Sequence, residues 1–267
     1  MKIDFHTHIF PDALAKKAVD SMQRGLNKVS GKTLPVFSDA TKKGLVRSME
    51  KAEIDLSVVL PVATSPKQTD TINEFAKSVT DGKIISFGSV FPASSDCIKT
   101  LENLARDGFL GIKLHPEYQG ANIHSREVID IINKCYDLGM TVVLHTGVDL
   151  GIPPPSHCTP QQMRKALNYF DGSNVVAAHL GGFLMWDDVE KYLVGTNLIL
   201  DTSMLSRYIT CEQCERIIRR HGFDKVVCGS DSPWEDLNDN REFLLKCGFL
   251  AAEIAEMDNT AKRLLRL

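Results

Sequence analysis

Eight apolar runs, each ending in polar or reactive residues, constrain this 267-residue chain more than any other feature. In order they are "KIDFHTH", "DLSVVLP", "KIISFGSVFP", "GFLGIKLHP", "MTVVLHTG", "SNVVAAHLGG", "NLILDTS" and "DKVVCGSDSP". Their hydrophobic residues are continuous rather than alternating, as in parallel strands covered on both faces. Helical stretches with recognisable starts lie between them. Ser38, the Ser94–Ser95 pair and Ser125 stand where N-caps belong, and Thr159 offers a cap followed by Pro160 at the first helical position. Gly82, Gly108, Gly139 and Gly222 stand where helices should stop. Eight strand–helix units in this length predict an α/β fold, a (β/α)8 TIM barrel rather than a doubly wound sheet. No linker or shift in composition divides the chain, so residues 1–267 read as a single domain.

In such a barrel the catalytic groups gather at the carboxyl ends of the strands. The first run ends with His6 and His8, the fourth with Lys113 and His115, the fifth with His145, the sixth with His179 and the eighth with Asp231. Unrelated core histidines have no reason to choose the same end of successive strands. The remaining histidines, His124, His157 and His221, fall in loops or at a helix end. His221 reads as a solvated residue favoured by the helix dipole, and His157, after "PPPS", as a surface-loop residue. Side chains two apart on a strand share a face, with Cα atoms roughly 6.5 Å apart, so His6 and His8 can converge on one cation. His6, His8, His145 and Asp231 offer three imidazole nitrogens and a carboxylate oxygen. That set suits Zn2+ with one position left open for water, with Mn2+ or Fe2+ as alternatives. Asp231 is placed to take a proton from that water and hand it to a leaving group. His179 can polarise a carbonyl or act as a second acid/base group.

The formal charge of −3 provides no basic excess for nucleic acid or an anionic membrane. No apolar run approaches the roughly 20 residues that span a bilayer. Asp4 and two histidines occupy the place of an apolar signal segment, so a cytoplasmic location is expected. An odd count of seven cysteines then predicts reduced thiols. Cys211 and Cys214 form a C-x-x-C in "ITCEQCERIIRRHG", without the preceding strand of a redox motif or a second such pair. They read as ordinary helix residues.

With these residues assembled, the chain resembles the amidohydrolase superfamily, in the branch of compact metal-dependent barrels called amidohydrolase family 2, or amidohydrolase-related. The matching pieces are "IDFHTHIFP", "GIKLHP", "VVLHTG", "VVAAHLGG", "LILDTS", "CGSDSPW" and a closing "NTAKRLLRL". The opening "MKIDFHTHIFP" is similar to that of aminocarboxymuconate semialdehyde decarboxylase-like barrels. The resemblance implies His6, His8 and His145 as metal ligands, Asp231 as ligand and proton shuttle, and His179 as catalytic. In binuclear relatives the strand-four lysine is carboxylated and bridges two metals. The compact branch usually holds one metal, which makes Lys113 a substrate contact, with His115 beside it. One Zn2+ is therefore expected, and a second ion on a carboxylated Lys113 is the alternative. The β-sandwich of many members is not expected, because the first strand begins at residue 2. The implied activity is hydrolysis of a small polar substrate (an amide, ester or lactone, with or without a carboxylate) by metal-activated water. Two alternatives are a non-oxidative decarboxylase using the same site and a TatD-like deoxyribonuclease. Against decarboxylation, "KTLPVF" has Leu34 where such relatives carry a carboxylate-binding arginine, leaving Arg207 in "DTSMLSRYI" as the candidate for that role. Trp234 and Phe183 read as packing under the loops. The resemblance also allows a homodimer.

Overall fold

The computed structural model describes residues 1–267. Short parallel strands occupy the apolar runs: β1 (Ile3–Thr7), β2 (Leu56–Val59), β3 (Ile84–Ser86), β4 (Gly88–Ser89), β5 (Gly111–Leu114), β6 (Thr141–Leu144), β7 (Val175–Ala177), β8 (Ile199–Asp201) and β9 (Val226–Val227). β3 and β4 are two halves of the third run, interrupted at Phe87. Ladders join β1-β2-β3 and β4-β5-β6-β7-β8-β9. The first strand is tied to the last by Phe5 N donating to Cys228 O (2.7 Å), His8 N to Ser232 O (2.7 Å) and Asp231 N to His6 O (2.8 Å). This is the TIM barrel that the strand–helix alternation predicts.

Continuous apolar runs are needed because each strand is buried on both sides. Val143, Val176, Ile199 and Val227 join Ile3, Phe5, Val58 and Phe87 in one core cluster. Their immediate neighbours Val142, Val175, Leu200 and Val226 belong to a larger cluster that includes the surrounding helices. Lys113 is in register with Val143 and is 1% exposed, so a lysine occupies a core layer. Burial of an ammonium there requires a polar partner, and that partner proves to be in the site. No helix is long and apolar enough to cross a membrane.

Ser125 and Thr159 cap their helices as expected, Thr159 within a full capping box. Two other expected caps differ. Thr41 rather than Ser38 caps the helix Lys42–Ala52, because Asp39 folds back to accept from Thr41 and advances the turn by three residues. The helix Cys97–Arg106 starts after Asp96 without a side-chain cap. Gly108, Gly139 and Gly222 have positive φ at helix ends, whereas the helix Thr69–Val79 stops earlier than Gly82, at an extended Thr80. Cys211 and Cys214 do lie on a helix, Cys211–His221. Cys211 is nevertheless bonded to Cys247, which corrects the expectation of seven reduced thiols. The turn after the helix Leu237–Lys246 brings Cys247 beside the start of Cys211–His221, a proximity that cysteine counting cannot reveal. Cys97, Cys135, Cys158, Cys214 and Cys228 are free and buried.

His221 is not solvated. It is buried, donating from Nε2 to Leu198 O (2.8 Å) and accepting at Nδ1 from Gly195 N (3.2 Å). Burial lowers its imidazole to about 4. Between that value and the unfolded value near 6.5, the unfolded chain takes up a proton that the folded chain refuses, so stability falls as pH drops through this window. The loss from pH 7 to pH 5 should be about 2 kcal/mol for this one group. Urea unfolding of the wild type and His221→Gln at both pH values measures it. The stability gap between them should shrink by that amount at pH 5, and a constant gap refutes the assignment.

Candidate metal centre

The site is built at the carboxyl ends of the strands, and each histidine in it is oriented by a partner from a different strand. His6 Nδ1 lies 2.7 Å from Asp201 Oδ2 at the end of β8. His8 Nδ1 lies 2.8 Å from the Leu60 carbonyl just past β2. Both partners only accept, so both rings carry their proton on Nδ1 and leave Nε2 bare. Those two bare nitrogens face each other at 3.2 Å. Asp231 Oδ1 lies 3.3 Å from His6 Nε2 and 3.0 Å from His8 Nε2. Three acceptors so close repel one another unless a cation lies among them. Ligand bonds of ~2.1 Å, at angles between octahedral and tetrahedral, separate neighbouring donors by roughly 3.0–3.4 Å. The trio therefore fits a divalent metal.

A proton chain fixes the next two histidines. Ser203 Oγ donates to Asp201 Oδ1 and faces His179 Nδ1 at 2.9 Å. His179 then carries its proton on Nδ1, and its Nε2 accepts from His145 Nδ1 (3.1 Å). That leaves His145 Nε2 bare, buried and without any hydrogen-bond partner. An orphaned buried imidazole nitrogen of this kind is what a metal ligand looks like in the absence of its ion. His145 is not part of the tight trio, however. One of its ring nitrogens lies within 4.8 Å of a ligand atom each of His115 and Asp149 instead. His115 and His145 stack with centroids 4.1 Å apart and planes 10° from parallel. Parallel rings cannot both aim in-plane lone pairs at one ion, so this second group is not a chelate as it stands.

Lys113 Nζ reaches His6 Nε2 at 3.2 Å. Burial lowers its ammonium to about 8, opposed by the charges of Asp201 and Asp231. Burial likewise holds His6 down at about 4, so the site imidazole is neutral and able to ligate at pH 7. His179 and Asp231 sit on left-handed backbone, at φ 57° and 69°. Trp186 Nε1 donates to the His179 carbonyl (3.1 Å) and Asp201 Oδ1 accepts from His179 N (2.8 Å), which together hold that turn.

The structure thus brings His6, His8, Lys113, His145, His179 and Asp231 together. His115 is also present, with Nδ1 accepting from Tyr118 N (3.4 Å) and Nε2 lying 3.3 Å from Asp149 Oδ2. Arg207 is not brought in. It is exposed, donates to Trp234 O (2.6 Å) and lies over the Phe37 ring, holding down the loop before the helix Lys42–Ala52. His157 is more than a surface residue, since its Nδ1 meets the buried Glu117 carboxylate. Phe183 packs edge-on against His179 and Tyr208, forming an apolar wall. Sequence reasoning passed over Asp201 and Asp149. Asp201 carried a usable signal, as the polar end of the run "LILD". Asp149 carried none, because it follows β6 in an irregular loop.

A family model described as Amidohydrolase matches residues 3–265. The chain belongs to the amidohydrolase family. Its members are metal-dependent hydrolases and decarboxylases. No curated protein matches the chain. Among similar solved structures is a dihydroxybenzoic acid decarboxylase from Polaromonas sp. JS666 with bound manganese and the inhibitor 2-nitroresorcinol. It is 14% identical, with a TM-score of 0.69 over 100% of this chain and 97% of the other. Another is a probable 2-pyrone-4,6-dicarboxylic acid hydrolase from Acinetobacter baumannii with citric acid bound, 16% identical, TM-score 0.68, covering 100% and 99%. A third is 5-carboxyvanillate decarboxylase from Sphingomonas paucimobilis, 12% identical, TM-score 0.65, covering 100% and 99%. At these identities the likeness is one of fold.

Proposed function

We propose that this amidohydrolase uses a single zinc ion to hydrolyse a small polar substrate such as an amide, ester or lactone. One observation carries the reading: three unprotonated ligand atoms, His6 Nε2, His8 Nε2 and Asp231 Oδ1, converge at 3.0–3.3 Å. The unpartnered Nε2 of His145 is the fourth ligand in this proposal. These residues would hold a divalent ion, which would supply Lewis-acid chemistry toward water and a carbonyl oxygen. Asp231 removes the proton from the attacking water and returns it to the leaving group. His179, clamped between Ser203 and His145, steadies charge developing on the substrate oxygen. Lys113 is the cation facing inward and serves as the substrate contact.

Hydrolysis is preferred to decarboxylation because no arginine meets the site: Arg207 is tied to Trp234 and Phe37, and Leu34 hydrogen-bonds Gln23 through its backbone. A charge of −3 likewise favours a small substrate over DNA. The test is an assay of zinc-loaded protein against amide, lactone and carboxylic-acid panels, with metal counted by elemental analysis. Turnover of an amide or lactone with one ion per chain is expected. Carbon dioxide release without consumption of water moves the activity to decarboxylation. Two ions per chain with a carboxylated Lys113 overturn the mononuclear assignment.

A further inference from the structure

Asp149 stands in the loop after β6, and nothing in the proposed chemistry uses it. Its carboxylate is nearly buried, with one oxygen hydrogen-bonded and the other beside an imidazole. Oδ1 accepts from Gly151 N (2.7 Å) and Oδ2 meets His115 Nε2 (3.3 Å). On the other side of that ring, Nδ1 accepts from Tyr118 N (3.4 Å). A neutral imidazole has one lone pair and one N–H. With a backbone donor fixed at Nδ1, the proton is on Nε2, the nitrogen that faces the Asp149 carboxylate at 3.3 Å. The ring so pinned lies flat on His145, while Tyr118 covers it at 4.2 Å. His145 Nδ1 is fixed to His179, and the His115 face stops the ring from tilting about that bond.

We propose that Asp149 is a positioning residue which, acting through His115, holds the bare Nε2 of His145 in its ligating orientation. The proposal rests on His145 being a metal ligand. Partners that orient a metal-binding imidazole typically change metal affinity 10- to 100-fold. Here the partner orients it through a stacked ring, so the low end applies. Asp149→Asn is close to isosteric yet chemically wrong. An amide that still accepts from Gly151 N turns its NH2 toward His115 Nε2, and the imidazole then faces two donors with one lone pair. His115→Phe keeps an aromatic face on His145 and removes both tethers.

Metal-stripped full-length protein would be titrated with zinc(II) in competition with a chromophoric chelator, and reloaded with cobalt(II) for visible spectra. Circular dichroism checks that each variant is folded. Asp149→Asn and His115→Phe should each weaken zinc binding about tenfold and shift the cobalt bands, and the double variant should be no weaker than either single one. His145→Ala should weaken binding more than any of them. Wild-type affinity and spectrum in Asp149→Asn, or additive losses in the double variant, overturn the proposal while leaving the ligand assignment intact. Wild-type affinity in His145→Ala removes the ligand assignment itself. A second bound ion in the wild type that is lost in Asp149→Asn overturns it in favour of direct ligation by Asp149.

Discussion

His8→Ala should strip the protein of its metal and its activity while leaving the barrel folded. His8 lies just past the end of β1, and its ring is the most exposed of the ligand trio at 19%. Its contacts are the Leu60 carbonyl and the other donors, not the apolar layers that hold the strands together. Truncation removes one of three donors and breaks the 3.0–3.3 Å triangle, so a loss of affinity well beyond the roughly 10- to 100-fold seen for orienting partners is expected. It also removes like-polarity crowding at His6 Nε2, so the metal-free fold should lose little. Elemental analysis after dialysis and urea unfolding of the metal-free protein check the two halves. A variant that binds no metal and also fails to fold would make the ion structural and weaken the catalytic reading.

The second large effect is on stability. Arg241→Ala should cost about 3–5 kcal/mol, the range for removing one partner of a buried ion pair. Its guanidinium meets both oxygens of Asp258 (2.5 and 3.1 Å) and donates to the Ile3 carbonyl (3.0 Å), while Ile3 N donates to Asp258 Oδ1 (2.9 Å). Asp258 is 5% exposed, on the closing helix Ala251–Leu265. Without Arg241 its charge has no counterion, and the start of β1 loses half its anchor. Because β1 carries His6 and leads directly into His8, metal affinity should fall in parallel. Chemical denaturation of Arg241→Ala and Arg241→Ala/Asp258→Leu distinguishes this from simple loss of packing. The double variant should recover part of the loss, and a double variant less stable than the single one contradicts the account.

The architecture and the rim of the site were legible because both obey a local rule. Strands covered on two faces are uniformly apolar, and the residue that ends each run lands at the same end of the barrel. That rule located His6, His8, Lys113, His145, His179 and Asp231. It could not assign their protons, since the groups that do so, Asp201, Leu60 O and Ser203, come from other strands. Arg207 obeyed the rule by position and turned away, because a carbonyl and an aromatic face lay closer than the site. His221 and the Cys211–Cys247 bond depend on how helices meet, which no single segment encodes.

The backbone at Asp231 and His179 has a consequence for how such a chain can change. A left-handed conformation costs a side-chain-bearing residue roughly 1–3 kcal/mol, a burden glycine escapes. The residues assigned to proton transfer and charge stabilisation thus stand where the barrel would be more robust without them. Selection for thermal robustness alone would erode the chemistry first at these two turns, and a descendant released from catalysis should record that release as glycines there.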